Sequence, residues 1–145
     1  MSIVSEILEK RSGDILSVPS DTTVFDAIEK MAQRSAGTAL VMEGDELVGI
    51  VSERDFIRKV YLQKECGKGM LVKEIMSTSL MTVTSDDELD DCMGIMTSKR
   101  IRHLPVVDEG KVSGIISIGD IVKYMVEEKD FQIKNLQSYI SGTGL

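Results

Sequence analysis

Two segments of the chain carry the same polar pair at the same spacing. They are Ser52-Glu53-Arg54-Asp55 and Ser117-Ile118-Gly119-Asp120, each directly after a glycine and two apolar residues, Gly49-Ile50-Val51 and Gly114-Ile115-Ile116. A serine three residues ahead of an aspartate is a helix-capping signature. The hydroxyl accepts from the third amide, and an acidic group suits the positive end of the helix dipole. The same carboxylate, when ionised, can accept from both hydroxyls of a ribose. Capping accounts well for an isolated pair. It accounts less well for a pair that recurs at equivalent places, each time at a strand-to-helix junction with backbone donors exposed.

A basic cluster, Lys99-Arg100-Ile101-Arg102-His103, forms the second chemical feature. Cations at a helix C-terminus explain Lys99 and Arg100. Arg102 and His103 instead lead straight into the apolar run Leu104-Pro105-Val106-Val107. Basic groups at the mouth of a strand in an acidic protein point to an anionic partner. Arg54 and Arg58 lie one turn apart and either add charge beside Asp55 or pair at the surface with Glu53 or Asp55. Enzyme signatures are missing: no G-x-G-x-x-G, no G-x-x-x-x-G-K-[ST], no G-x-S-x-G. Ser117, His103 and Asp120 are of triad types, but Ser52 and Asp55 recur without a histidine, which favours binding over nucleophilic catalysis.

The elements that must hold these residues form an internal repeat. Shifted by 65 residues, 18–55 falls on 83–120 without a gap and with ten identities. Chance would give about two or three. Val24, Ala27, Ile28 and Met31 fall on Leu89, Cys92, Met93 and Met96, both with the i, i+3, i+4, i+7 stripe of an amphipathic helix. Upstream, Val4 to Leu8 resembles Val72 to Met76 at an offset of 68, which places three extra residues near 11–14. Each copy reads as a lead-in, a short strand (15–18; 80–84), an aspartate or serine N-cap and a helix ending near Arg34 or Arg100. Two apolar runs around a polar turn follow, a hairpin signal, and then a second helix from Ser52 or Ser117. Val122, Val126, Lys129, Ile133, Leu136 and Ile140 extend the last helix in steps of four and three, as in a coiled-coil seam. Packing on its own domain and a dimer contact both fit that seam.

Composition bounds the rest. The 145 residues carry a net charge of −7, which disfavours a nucleic-acid partner. No apolar run is long enough for a membrane span, and no secretory leader is expected. Two cysteines without metal or redox spacing suit a reducing cytoplasm, and one histidine excludes a His-rich metal site. With 4% aromatics and no tryptophan, the core is aliphatic and no stacking platform is available. Copies of about 60 residues are marginal alone, so one shared core is expected.

A doubled unit ending in G-h-h-S-x-x-D, with Ile101-Arg102-His103-Leu104-Pro105-Val106-Val107-Asp108 in its second copy, resembles the CBS domain. Two tandem copies make a Bateman module, and the chain resembles standalone CBS pairs. The resemblance implies an α/β (α+β) fold: two tandem β-α-β-β-α repeats with pseudo-two-fold symmetry plus a C-terminal helix. The implied divisions are repeat 1 at 1–62, a connector at 63–70, repeat 2 at 71–127 and a tail at 128–145. It implies ribose contacts from Asp55 and Asp120, ribose or phosphate contacts from Ser52 and Ser117, and phosphate contacts from Arg102 and His103. The candidate walls of an adenine pocket are Thr38, Ala39, Ile50, Thr82, Val83, Leu104, Pro105 and Ile115. Gly37-Thr38 replaces Arg102-His103 in the first copy, so the two sites are not equivalent. The implied function is non-enzymatic sensing of AMP, ADP, ATP or NAD, relayed by a homodimer to an effector protein. A scaffold with vestigial sites and an S-adenosylmethionine-type ligand are the alternatives.

Overall fold

The computed structural model describes residues 2–10, 15–62 and 69–141. Cys66, most of the expected connector and the three extra residues near 11–14 lie outside them. The first copy comprises α1 (Val4–Lys10), β1 (Ser17–Pro19), α2 (Val24–Gln33), β2 (Thr38–Glu43), β3 (Glu46–Ser52) and α3 (Glu53–Asp55). A π-helical segment, Phe56–Tyr61, continues α3. The second comprises a 3-10 turn (Val72–Glu74), α4 (Leu89–Lys99), β4 (His103–Asp108), β5 (Lys111–Ser117) and α5 (Ile118–Ile140). The result is a mixed α and β architecture of two β-α-β-β-α units with a C-terminal helix, as the repeat predicts.

The two hairpins obey the 65-residue offset in detail. Both are two-residue loops, and both carry a bulge at equivalent places, Val41/Met42 and Val106/Val107. The loop backbones need left-handed φ at Gly44 (62°), Glu109 (50°) and Gly110 (79°), the geometry that matches the twist of paired strands. β1 runs parallel to β2, with Val18 opposite Val41. The strand expected at 80–84 shrinks to one parallel bridge, Val83 to Val106. The helix caps also differ from expectation. Thr23, not an aspartate or serine, caps α2 by accepting from the Asp26 N–H, and Glu88 starts α4 without a side-chain cap.

Two cores form rather than one. Val18, Val24, Ala27, Met31, Ala39, Val41, Val51 and Val60 of the first copy enclose Val72 and Ile75 from the second copy's lead-in. Reciprocally, Val83, Leu89, Cys92, Met96, Leu104, Val106 and Ile116 pack around Val4 and Ile7 of α1. The lead-ins are thus exchanged. Each inserts two side chains that are 0–6% exposed. Burying two such side chains contributes roughly 3–6 kcal/mol, comparable with the whole stability of a small domain. A single copy lacks the piece that closes its own core.

The exchange explains the recurring glycine. A Cβ on Gly49 would collide with Met76 Sδ and lie 2.8 Å from its Cγ and 3.2 Å from its Cβ. A Cβ on Gly114 would lie 2.8 Å from Leu8 Cδ2, with the next atom at 3.6 Å. Met76 and Leu8 hold matching places in the two lead-ins. Gly49 meets a side chain close to its root, whereas Gly114 meets the movable end of one. Gly49→Ala is expected to cost about 1–3 kcal/mol through overpacking, and Gly114→Ala less. Urea denaturation checks this, and Met76→Ala is expected to cost less in the Gly49→Ala background than in the wild type.

Candidate functional site

The two Ser-x-x-Asp motifs fold as reciprocal capping boxes. Ser52 is extended (φ −132°, ψ 165°), and its Oγ accepts from the Asp55 N–H at 3.2 Å. Asp55 Oδ2 accepts in return from the Ser52 N–H at 2.9 Å and from its hydroxyl at 3.1 Å. In the second copy Ser117 Oγ accepts from the Asp120 N–H at 3.0 Å, and Asp120 Oδ2 accepts from the Ser117 N–H at 2.9 Å. Both boxes place a half-buried carboxylate at a strand end.

Strand register ties the junctions together. Ser52 lies opposite Thr38, and Ser117 opposite His103. Thr38 Oγ1 and His103 Nδ1, themselves 65 residues apart, approach to 3.2 Å. Side chains alternate along a strand, so Thr38 and Leu40 share the face of β2 away from Ala39 and Val41. Leu40 is buried yet belongs to neither core. That face is turned toward the second copy. Backbone contacts repeat the symmetry: Glu53 N–H donates to Gly37 O (3.0 Å), and Ile118 N–H to Arg102 O (2.9 Å).

The flanking elements distinguish the two sites. Beside Asp120 lies a hollow of about 260 Å³ lined by Ile7, Lys10, Asp120, Lys123, Tyr124 and Glu127. It brings α1 of one copy against α5 of the other. Lys10 Nζ sits 4.8 Å from the Tyr124 ring centroid, and the Tyr124 hydroxyl donates to Glu6 Oε2 at 3.2 Å. Beside Asp55, Ile50 and Ser77 exchange two backbone hydrogen bonds, 3.1 and 2.9 Å. Asp55 Oδ1 pairs with Lys59 Nζ at 3.3 Å. Arg54 and Arg58 are exposed, and the carboxylate's ion-pair partner is Lys59 rather than either arginine. Lys10, Lys59, Lys123 and Tyr124 were not legible as site residues. The one available signal was the offset, which sets Lys59 against Tyr124.

The expected adenine walls differ widely in exposure. Ala39 and Leu104 are 0% exposed and Val83 is 3% exposed, so these side chains are enclosed by the cores. Pro105 is buried too. Thr82 is exposed and lines a different hollow, of about 580 Å³, with Glu43, Leu47, Leu80 and Val107. Ile50 and Ile115 remain half-buried and Thr38 is 8% exposed. Arg102 is exposed and His103 half-buried at the strand mouth. Cys92 is a poor nucleophile: burial, then the charges of Asp87 and Asp91, push its thiol up to about 11.

The family model for the CBS domain matches twice, at residues 4–62 and 72–127. The chain belongs to the CBS domain family. Its fold is that of a CBS pair, a regulatory type of module. A structure of a protein with CBS domains from Burkholderia ambifaria MC40-6 is 43% identical and superposes with a TM-score of 0.83 over 87% of this chain and 95% of that one. The CBS pair of protein MJ0100, in complex with 5-methylthioadenosine and S-adenosyl-L-methionine, is 25% identical, with a TM-score of 0.76 over 88% and 98% of the two chains. The mitochondrial CBS domain-containing protein CBSX3 of Arabidopsis thaliana is 34% identical over 96% of this chain and 72% of its own. Among the described residues no helix is long and apolar enough to cross a membrane.

The capping boxes of this CBS pair have a stability role separable from any ligand. Ser117→Ala is expected to cost about 1 kcal/mol in thermal or urea unfolding. Asp120→Asn keeps an acceptor for the Ser117 N–H and is expected to cost less.

Proposed function

We propose that this CBS pair is a non-catalytic sensor that binds an adenosine-containing nucleotide, AMP, ADP, ATP or NAD, between its copies and relays the change to an effector protein. The observation that carries the reading is the hollow beside Asp120. It combines two carboxylates, Asp120 at the helix start and Glu127 two turns on, with the two lysines Lys10 and Lys123. A carboxylate can accept from a ribose diol, and ammonium groups can hold phosphate. Its volume of about 260 Å³ is below the roughly 300 Å³ at which pockets for whole small molecules begin. The hollow therefore suits the ribose-phosphate part, with the base outside it. The adenosine-type ligands of MJ0100 support the class of ligand. They also favour a second reading, S-adenosylmethionine. Lys10 and Lys123 in the hollow, and Arg102 and His103 at the strand mouth, argue against it, because basic groups suit phosphate better than a sulfonium cation.

Binding only one of two poses is what makes a ligand a signal. A ligand on Asp120 bridges α5 of one copy and α1, which continues into the other. It is placed to change how the copies sit together. We place the relay in a homodimer. Ile57 and Tyr61 are 52% and 70% exposed, and Val122 and Val126, at the 65-residue offset, are 51% and 52% exposed. A two-fold dimer that buries these apolar residues would pair the same surface on both chains, as an isologous contact requires. The scaffold alternative would use the same patch without a ligand.

A thermal-shift panel of AMP, ADP, ATP, NAD and S-adenosylmethionine tests the sensor. A nucleotide at about 100 times its Kd is expected to add roughly 2.7 kcal/mol, a rise of several degrees in Tm. No shift with any nucleotide at millimolar levels would overturn the reading in favour of the scaffold. Asp120→Asn is expected to make ribose and deoxyribose ligands bind alike, and His103→Ala to erode the preference for phosphate. Sedimentation is expected to give twice the chain mass for the wild type and a monomer for Tyr61→Lys/Val126→Lys.

A further inference from the structure

We infer that Lys59 is a built-in competitor for the ribose site at Asp55, so that the first cleft takes ligand only by displacing a side chain of the protein itself. The inference rests on the nucleotide reading above. Both oxygens of Asp55 are engaged from within the chain. Oδ2 accepts from the Ser52 N–H and hydroxyl, and Oδ1 lies 3.3 Å from Lys59 Nζ. A ribose diol would have to take over the position that Lys59 holds. An i, i+4 ion pair whose lysine is 42% exposed is a weak restraint by itself. Lys59 has a second anchor: its Nζ donates to the Ile75 carbonyl at 2.8 Å. Ile75 is 3% exposed within the exchanged lead-in, so that anchor does not drift. The ammonium is held between the Asp55 carboxylate and the second copy's lead-in.

The matching residue of the second copy is Tyr124, a neutral ring whose hydroxyl donates to Glu6 in the other exchanged lead-in at 3.2 Å. Both residues tie a second helix to an exchanged lead-in. Only Lys59 does so with a charge that is also a partner of the candidate ribose carboxylate. Filling the first cleft therefore breaks an ion pair and releases the Ile75 carbonyl, loosening a tie between the copies. The Asp55 site becomes conditional on displacing Lys59.

The test is calorimetric titration with AMP in the Asp120→Asn background, which leaves Asp55 as the complete site. Lys59→Tyr, the second copy's residue, and Lys59→Met are each expected to tighten AMP binding roughly two- to five-fold, the scale of an exposed ion pair. Adding Asp55→Asn is expected to abolish that gain. Unchanged binding in both Lys59 variants would overturn the inference, and so would weaker binding, which would make Lys59 a phosphate ligand. AMP bound by the wild type but never by an Asp120→Asn background would overturn it as well. If no protein in the set binds AMP, the nucleotide reading falls and takes this inference with it. Thermal unfolding of each variant reports its folding, and the two Lys59 replacements differ in bulk so that one misfolded variant does not decide the outcome.

Discussion

The exchange of lead-in segments is the constraint on which the rest of this CBS pair depends. Neither aliphatic core closes with its own chain order: Val72 and Ile75 complete the first, Val4 and Ile7 the second. The requirement explains the glycines of both G-h-h-S-x-x-D motifs. They are flat places where Met76 and Leu8 press on a strand. The same glycines stand three residues ahead of the capping serines, so core closure and site geometry share one strand. The dependence is one of support: the lead-ins pack on β3 and β5, those strands present Ser52 and Ser117, and the serines hold the carboxylates.

Symmetry in the backbone coexists with divergence in charge. The hairpins, bulges, capping boxes and strand-end bonds of the two copies correspond at a constant offset. The polar groups around the carboxylates do not. Lys59 faces Tyr124 across the pseudo-axis, and Gly37-Thr38 faces Arg102-His103. Thr38 and His103 meet where the two copies touch. The duplicated scaffold sets where a site can be, and substitutions on it decide what each site prefers.

Much of this was legible from spacing. The 65-residue repeat located both hairpins, both amphipathic helices and both capping pairs, because those features are written in local periodicity and turn chemistry. The exchange of lead-ins was not legible. Val4, Ile7, Val72 and Ile75 are apolar in the right pattern for either core, and local pattern carries no information about which one they enter. The depth of the expected adenine walls was hidden for a related reason. β2 is the middle strand of its sheet and is covered on both sides, so Ala39 is core rather than surface. A lysine on a helix is ordinary in a sequence, and only the fold brings Lys59 to its two partners, Asp55 and the Ile75 carbonyl.

The continuity of α5 has a mechanical consequence. One helix runs from the Ser117 cap to Ile140 without a break at the end of the second repeat. Its 23 residues make a rod of about 35 Å at 1.5 Å per residue. The carboxylate of Asp120 lies in the first turn, and the far half stands clear of the body with Phe131, Leu136 and Tyr139 exposed. A tilt of about 5° at the capped end moves the tip of such a rod by roughly 3 Å. A displacement too small to notice at the carboxylate becomes, at the tip, the size of a side-chain contact made or lost.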